Sequence, residues 1–114
     1  MTLLSRTRTP IRELNDACRI AGLSGDGCWV LTRGVRALGP DLMACAIRKV
    51  QAFDRFDADN DPHGEHDLGD FTLCGERLLW KIDYYDQLLQ AGSENPADPA
   101  VTVRVLTLML ADEY

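Results

Sequence analysis

The residues best suited to chemistry lie in one segment, residues 54–70, which holds seven acidic side chains, one arginine and both histidines of the chain. This segment alone carries a net charge of −6, which equals the net charge of the whole chain. Asn60, Pro62 and Gly64 are turn-forming residues, so the segment is predicted to be a loop. A long, charged loop within a small domain is typical of a functional or a disordered segment.

The alternating carboxylates suggest cation binding. Asp57, Asp59 and Asp61 follow the D-x-D-x-D spacing of calcium loops, which offer hard oxygen ligands. An EF-hand is excluded, because Pro62 stands where that loop needs glycine and Leu68 stands where it needs a bidentate glutamate. A looser Ca²⁺ or Mg²⁺ site stays open as an alternative.

The two histidines suggest a second kind of metal site, since two imidazoles and a carboxylate can hold zinc. Their spacing is not that of the helical H-E-x-x-H motif, and Pro62 and Gly64 disfavour a helix here. In a structural interpretation, the histidines instead hydrogen bond to the loop's own carboxylates and backbone. The candidate metal ligands are His63, His66, Asp59, Asp61 and Glu65. No other cofactor is expected.

An enzyme is the less favoured class. The sequence has no P-loop, no Ser-His-Asp order and no Cys-His pair at an informative spacing, so the catalytic residues stay unknown. The candidates for hydrolytic chemistry are the polar residues of the loop and of the strand that follows it, namely His63, Glu65, His66, Asp67, Lys81, Asp83 and Tyr85.

Composition limits the class of protein and of partner. The 114 residues correspond to one domain, residues 9–114, preceded by a flexible arm, residues 1–8. No apolar run approaches the length of a membrane span, and residues 1–10 lack the apolar core of a secretory signal, which predicts a cytoplasmic protein. The four scattered cysteines are predicted to be reduced, buried thiols. The acidic balance disfavours direct nucleic-acid binding and favours a basic protein partner.

The regular elements must position the loop. A first helix is predicted from Pro10 to Gly22, with Thr9 as its N-cap. Its buried face is expected to hold Ile11, Leu14, Cys18 and Ala21, and its solvent face Arg12, Asn15 and Arg19. Residues 28–33 read as a strand, residues 34–39 as a short connection, and residues 40–53 as a second amphipathic helix.

A β-hairpin is predicted directly after the loop, with Gly75 and Glu76 as its turn. In that register Leu73 faces Leu78, Phe71 faces Trp80 and Asp70 faces Lys81. One face of the hairpin is then apolar, with Phe71, Leu73, Leu78, Trp80 and Ile82, whereas Lys81, Asp83 and Tyr85 point the other way.

The last element is predicted to be a helix over residues 101–111, apolar around most of its circumference, with Arg104, Thr107 and Ala111 as its solvent strip. The element order is therefore α-β-α-β-β-α. This order predicts an α+β fold in which a small antiparallel three-stranded sheet carries its helices on one face and leaves the other face partly open.

Four stretches resemble an uncharacterised bacterial family, the domain of unknown function 3768. They are LTRGV (31–35), DNDPHGEHD (59–67), WKIDYYD (80–86) and NPADPAVTVRVLTLMLADEY (95–114), and the likeness extends from about Ile11 to the C-terminus. The resemblance implies a small open reading frame of plasmids or integrated elements of alphaproteobacteria, often among anti-restriction genes. It brings no catalytic or cofactor residues.

Together these observations predict a small acidic interaction protein of a mobile genetic element that binds a basic protein surface, as an anti-restriction or anti-CRISPR inhibitor would. Regularly spaced carboxylates can imitate phosphates in a basic channel. The expected partner-binding residues are Asp57, Asp59, Asp61, Glu65, Asp67, Lys81, Asp83 and Tyr85. The alternative is a metal-binding protein or small metal-dependent hydrolase centred on the loop. Oligomeric state is left open.

Overall fold

A computed structural model describes residues 10–25 and 29–114. The helices are α1 (Pro10–Ala21), α2 (Arg33–Arg36) and α3 (Pro40–Gln51), and short 3₁₀ turns lie at Gly22–Ser24 and Ala111–Glu113. The strands are β1 (Trp29–Leu31), β2 (Leu68–Leu73), β3 (Glu76–Tyr85) and β4 (Val103–Leu110). The predicted arm at residues 1–8, the N-cap at Thr9 and the thiol of Cys28 lie outside the described residues.

The sheet has four strands in the order β1-β4-β3-β2, and β1 runs parallel to β4 while the other pairs are antiparallel. The prediction of a three-stranded antiparallel sheet was therefore wrong, although the α+β class holds. None of the described helices is long and apolar enough to cross a membrane.

The largest error concerns the predicted last helix, which is strand β4 at the centre of the sheet. Arg104, expected at the solvent face, is only 7% exposed, and Leu106 and Leu108 on the same side of the strand are fully buried. A run that is apolar on both faces fits a buried helix and a central strand equally well. The β-branched residues of VTVRVLTLML were the signal for a strand.

The predicted hairpin is present, with its register shifted by two residues. Its turn is Cys74-Gly75, both with positive φ, and not Gly75-Glu76. Phe71 therefore faces Leu78, and Gly69 faces Trp80. A shift of two residues leaves every side chain on its predicted face, because side chains alternate along a strand. Cys74 is exposed in the turn, contrary to the prediction of a buried thiol.

The three described helices pack on one face of the sheet; two of them were predicted, whereas α2 lies in the segment predicted as a connection. The core there centres on Trp80, Leu78, Leu106 and Leu108, each fully buried, and on Val35 and Val50 from the helices. Gly69 of β2 lies directly under the Trp80 indole, since a Cβ at Gly69 would come within 2.6 Å of the indole nitrogen. The residue is glycine because the ring occupies that space.

Helix α1 does not bury the face that its apolar spacing predicts. Asn15 is fully buried and Arg19 is 5% exposed, although both were expected to face solvent, whereas Ala21 is exposed. Buried backbone carbonyls of the neighbouring segments need hydrogen-bond donors, and the polar side chains of α1 face inward and supply them.

Glu113 joins the C-terminal turn to the start of α2. Its carboxylate accepts hydrogen bonds from the Thr32 hydroxyl (2.6 Å), the Gly34 amide (3.0 Å) and the Leu110 amide (2.7 Å). These bonds favour the charged form and hold the pKa of Glu113 below its ordinary value of 4.5, with the Thr32 bond as the largest cause.

Glu113→Gln is expected to destabilise the protein at neutral pH. Because the folded pKa is lowered, the carboxylate stabilises the fold fully above the unfolded pKa near 4.5, and this contribution disappears as pH falls through the folded pKa. Urea unfolding of the two proteins between pH 7 and pH 3 checks this. The difference in unfolding free energy must shrink at acid pH; a constant difference would contradict the assignment.

Candidate functional site

The acidic loop, defined here as residues 54–67, is folded against helix α1. The Arg12 guanidinium donates to the Gly64 carbonyl (2.7 Å) and the Asn15 amide donates to the Glu65 carbonyl (3.0 Å). The His66 ring contacts the Asp16 carboxylate, Nδ1 to Oδ1, at 2.9 Å. One face of a single helix therefore fixes the loop at three successive residues.

The outer part of the acidic loop is a tight turn organised by Asp57 and Asn60. The Asp57 carboxylate accepts from the amides of Asp59 (2.9 Å) and Asn60 (3.0 Å), and the Asn60 side chain accepts from the Asp57 amide (3.0 Å). Such side-chain to backbone bonds define an Asx turn. Asp57 and Asp59 are exposed on this ordered turn, and Asp54, three residues before it, is also exposed.

Asp61, predicted as both a ligand and a partner-binding residue, is only 8% exposed. Its Oδ1 accepts from the amides of Glu65 (2.9 Å) and His66 (3.1 Å), and its Oδ2 lies 3.8 Å from the His66 Nε2. A carboxylate that takes two backbone donors closes the segment around Pro62 to Gly64. Asp61 therefore shapes the acidic loop from inside.

His66 is enclosed on three sides. Its ring stacks on Phe56 with centroids 3.8 Å apart and planes 6° from parallel, and its two nitrogens face Asp16 and Asp61. Its backbone has φ of 57°, a conformation that side chains other than glycine rarely adopt. These contacts match the structural interpretation of the histidine, with bonds to carboxylates near it.

The structure separates the five candidate metal ligands. His63 and Asp59 are exposed, whereas Asp61 and His66 contact each other inside the loop and Glu65 contacts Tyr84. Among the side chains of residues 10–25 and 29–114, no three of the His, Cys, Asp and Glu type are placed to hold a metal ion.

A buried polar network supports the acidic loop from below. The Tyr84 hydroxyl donates to the Glu65 carboxylate (2.8 Å) and accepts from the Asn15 amide (2.8 Å). The Asn15 carbonyl in turn accepts from Arg104 Nε (2.8 Å), and the Arg104 guanidinium lies over the Tyr84 ring and contacts the Pro96 carbonyl. Sequence reasoning missed this network, because its members come from α1, the loop, β3 and β4.

Two groups in this region titrate away from their ordinary values. Burial raises the pKa of Tyr84, and the adjacent Glu65 carboxylate raises it further, so the phenol stays a hydrogen-bond donor. Burial also raises the pKa of Asp67, with smaller contributions from the charges of Glu65 and Asp61. Glu65 and Asp67, like Asp61, are thus held partly inside the protein.

Lys81, Asp83 and Tyr85 do not join the acidic loop. They alternate with the core residues Trp80 and Ile82 on β3, so they project from the sheet face opposite the helices. Lys81 and Asp83 are in close ionic contact there. The predicted partner-binding residues therefore occupy two separate surfaces, of which the exposed carboxylates of the loop form one.

A groove of about 460 Å³ separates the acidic loop from the edge strand β2. It has two cationic side chains, Lys49 and Arg55, and two carboxylates, Asp57 and Asp70. The groove is therefore balanced in charge, and the negative surface lies on the outer side of the loop.

A family model described as "Protein of unknown function (DUF3768)" matches residues 31–113. The match contains the acidic loop and strands β2 to β4, and it begins after α1, whereas the likeness was expected to start near Ile11. No curated protein and no solved structure matches the chain.

Proposed function

The chain belongs to the DUF3768 family of proteins of unknown function, and we propose that it is a binding protein whose acidic loop recognises a lysine- and arginine-rich surface of another protein. The contacts would come from three exposed carboxylates, Asp57 and Asp59 on the outer turn and Asp54 just before it. The finer proposal is that the partner surface normally binds nucleic acid, as in a restriction or CRISPR enzyme, and that this protein occupies it.

The observation that carries the proposal is the order of the loop. Its backbone is fixed by Arg12, Asn15 and the Asp57 turn, so the exposed carboxylates are held in place before any partner binds. Binding then costs less conformational entropy than ordering a mobile acidic segment would. A concentrated negative charge also accelerates association with a basic surface.

The proposed class of partner follows from charge. Surfaces that bind nucleic acid are rich in lysine and arginine because they neutralise phosphates, and an acidic protein competes for the same groups. The neighbourhood of mobile elements that the family resemblance implies favours a host defence enzyme. The metal-binding alternative would require Asp61 and His66 to give up their present contacts, since Asp61 accepts from two loop amides and His66 Nδ1 lies 2.9 Å from the Asp16 carboxylate.

Neutralising the outer turn is expected to weaken partner binding by roughly tenfold or more, since each lost charge pair contributes about 0.5–1 kcal/mol at an exposed site. The variant is Asp54→Asn, Asp57→Asn and Asp59→Asn together. Asparagine keeps the side-chain oxygen that accepts from the Asp59 and Asn60 amides, so the turn is retained. The protein is used to capture partners from a host lysate, and each captured protein is then purified and titrated by calorimetry at several salt concentrations.

The matched control changes three exposed acids away from the loop, Glu76→Gln, Glu94→Gln and Asp112→Asn. It removes the same charge and is expected to change affinity by no more than about twofold. The finer proposal is tested by competition: because the partner surface is proposed to bind nucleic acid, added duplex DNA should displace the protein from its partner. Equal losses for the two triple variants, or unchanged affinity of the loop variant, would refute the proposed site.

A further inference from the structure

The sheet has a second face that no described helix covers. Alternation along the strands places on it a set of apolar side chains: Val30, Leu68, Leu79, Tyr85, Val103, Val105 and Met109. Val30 is 47% exposed and Met109 only 4%, and the other five are partly exposed. We call this surface the open face. Antiparallel sheets tolerate one solvated face, but such a face then usually alternates to polar residues.

The open face is neutral although the protein is strongly acidic. Its charged residues occur as two opposite pairs, Lys81 with Asp83 and Asp70 with Arg77, the second at 2.7 Å. The acidic loop, which carries most of the net charge, lies on the helical side against α1. A second copy can therefore approach the open face with its own acidic loop turned away, and charge repulsion between the copies is small.

We propose that the open face is a two-fold interface between two copies of this chain. A two-fold interface brings the same patch of both copies together, so it must be self-complementary. Lys81 and Asp83 meet this condition, because they are adjacent on one face of β3 and carry opposite charges. In the dimer, Lys81 of one copy pairs with Asp83 of the other, and the apolar residues around them are buried.

The size of the face indicates a weak dimer. Strands β1 to β4 have 3, 6, 10 and 8 residues, and at about 3.4 Å per residue and about 4.8 Å between strands they cover roughly 450 Å², so a face-to-face contact buries about 900 Å² in total. An area of this size is typical of weak, transient association, and we expect a dissociation constant in the micromolar range. The two acidic loops then lie on the outer sides of the dimer, which would present two partner sites.

Sedimentation equilibrium of the full chain from about 1 to 500 µM measures the association. The wild type is expected to change from monomer to dimer across this range. Val105→Glu places a charge at the centre of the open face, opposite Asp83 on the neighbouring strand, and is expected to weaken the dimer by at least about tenfold. Ile20→Glu is the matched control, since Ile20 is 58% exposed on α1 and the change in charge is the same.

A charge exchange tests the two-fold arrangement. Lys81→Glu alone and Asp83→Lys alone each oppose like charges across the interface and should weaken the dimer, whereas the double exchange should restore it to within about threefold. Circular dichroism and melting of each variant confirm that the monomer is folded. A wild type that stays monomeric, equal effects of Val105→Glu and Ile20→Glu, or failure of the double exchange to restore association overturns the proposal. A monomeric wild type that loses stability with Val105→Glu would show that the chain covers this face itself.

Discussion

Arg19→Met is expected to lower the free energy of unfolding by about 4 kcal/mol. The guanidinium Nη1 lies within hydrogen-bond distance of the carbonyls of Val50 (3.1 Å), Gln51 (2.9 Å) and Phe53 (3.0 Å) at the end of α3, which share its two hydrogens. The other terminal nitrogen, Nη2, donates to the Asp16 carboxylate at 3.1 Å. Methionine keeps the length of the side chain but removes this donor from the carbonyls of Gln51 and Phe53, whereas the Val50 carbonyl still accepts from the Phe53 amide at 3.2 Å.

The expected loss of unfolding free energy in Arg19→Met is the balance of favourable and unfavourable contributions that Arg19 makes to the fold. A hydrogen bond from a charged donor contributes about 1.5–3 kcal/mol, and the positive charge at the C-terminus of α3 is further favoured by the helix dipole. The guanidinium also lies over the rings of Phe56 (5.5 Å) and Trp80 (5.8 Å). Against these gains, the Arg19 Nε is buried without a partner among the described residues, and a buried ion loses hydration.

Urea unfolding followed by tryptophan fluorescence measures this change, with a shifted midpoint and an unchanged slope. Arg48→Met is the matched control, since Arg48 is exposed on α3 and its replacement should change stability by less than about 0.5 kcal/mol. Arg19→Lys should resemble the methionine variant, because an ammonium cannot reach three carbonyls and the carboxylate together. A loss below about 1 kcal/mol for Arg19→Met would show that these bonds do not hold α1 to the end of α3.

Local patterns were sufficient for part of this fold. Helix α3 begins at Pro40 as its proline and Asp41 predict, and the two faces of the hairpin follow from alternation alone. The turn was misplaced because Gly75 suits the first or the second position of a two-residue turn. Only the positive φ of Cys74, which the sequence does not display, decides between them.

Errors of a second kind arose where tertiary contacts override periodicity. Strand β4 packs Leu106 and Leu108 under the helices and carries Val103, Val105 and Met109 on its other face, so its sequence is mainly apolar on both faces, as in a buried helix. Asn15 and Arg19 lie on the buried side of α1, where they donate to backbone carbonyls. Their burial was not predicted, because these carbonyls belong to segments that are distant in sequence. No pattern within twelve residues contains that information.

The location of the charged segment was evident from composition, but the division of its acids was not. Exposed Asp57 and buried Asp61 are both aspartates in a D-x-D-x-D pattern, yet one faces solvent and the other accepts two amides inside the loop. Turn geometry decides this, and it depends on the contact of His66 with Asp16 on another element.

Asn15→Leu is expected to destabilise the protein by about 3 kcal/mol and to loosen the acidic loop selectively. Leucine keeps the branching at Cγ, although its methyl groups take up more space, and it removes the acceptor of Arg104 Nε and the donor to Glu65 and Tyr84. Arg104, 7% exposed, then keeps its charge with one buried hydrogen bond fewer. The cost exceeds that of an ordinary hydrogen bond because the charged and polar partners stay buried.

Tyr84→Phe separates the network from packing, since it removes one hydroxyl and leaves the ring under Arg104. It is expected to cost only about 1 kcal/mol.

Amide hydrogen exchange supplies the second readout for Asn15→Leu. The Glu65 and His66 amides, which donate to Asp61, should exchange faster in this variant, while those of the β3–β4 pairing keep their order of protection. If protection is lost to the same extent at loop and sheet amides, Asn15 supports the core as a whole. It then does not specifically preorganise the acidic loop. A selective loss instead links one buried amide to the geometry of the exposed carboxylates, and the same variant should then weaken partner binding without altering a single surface charge.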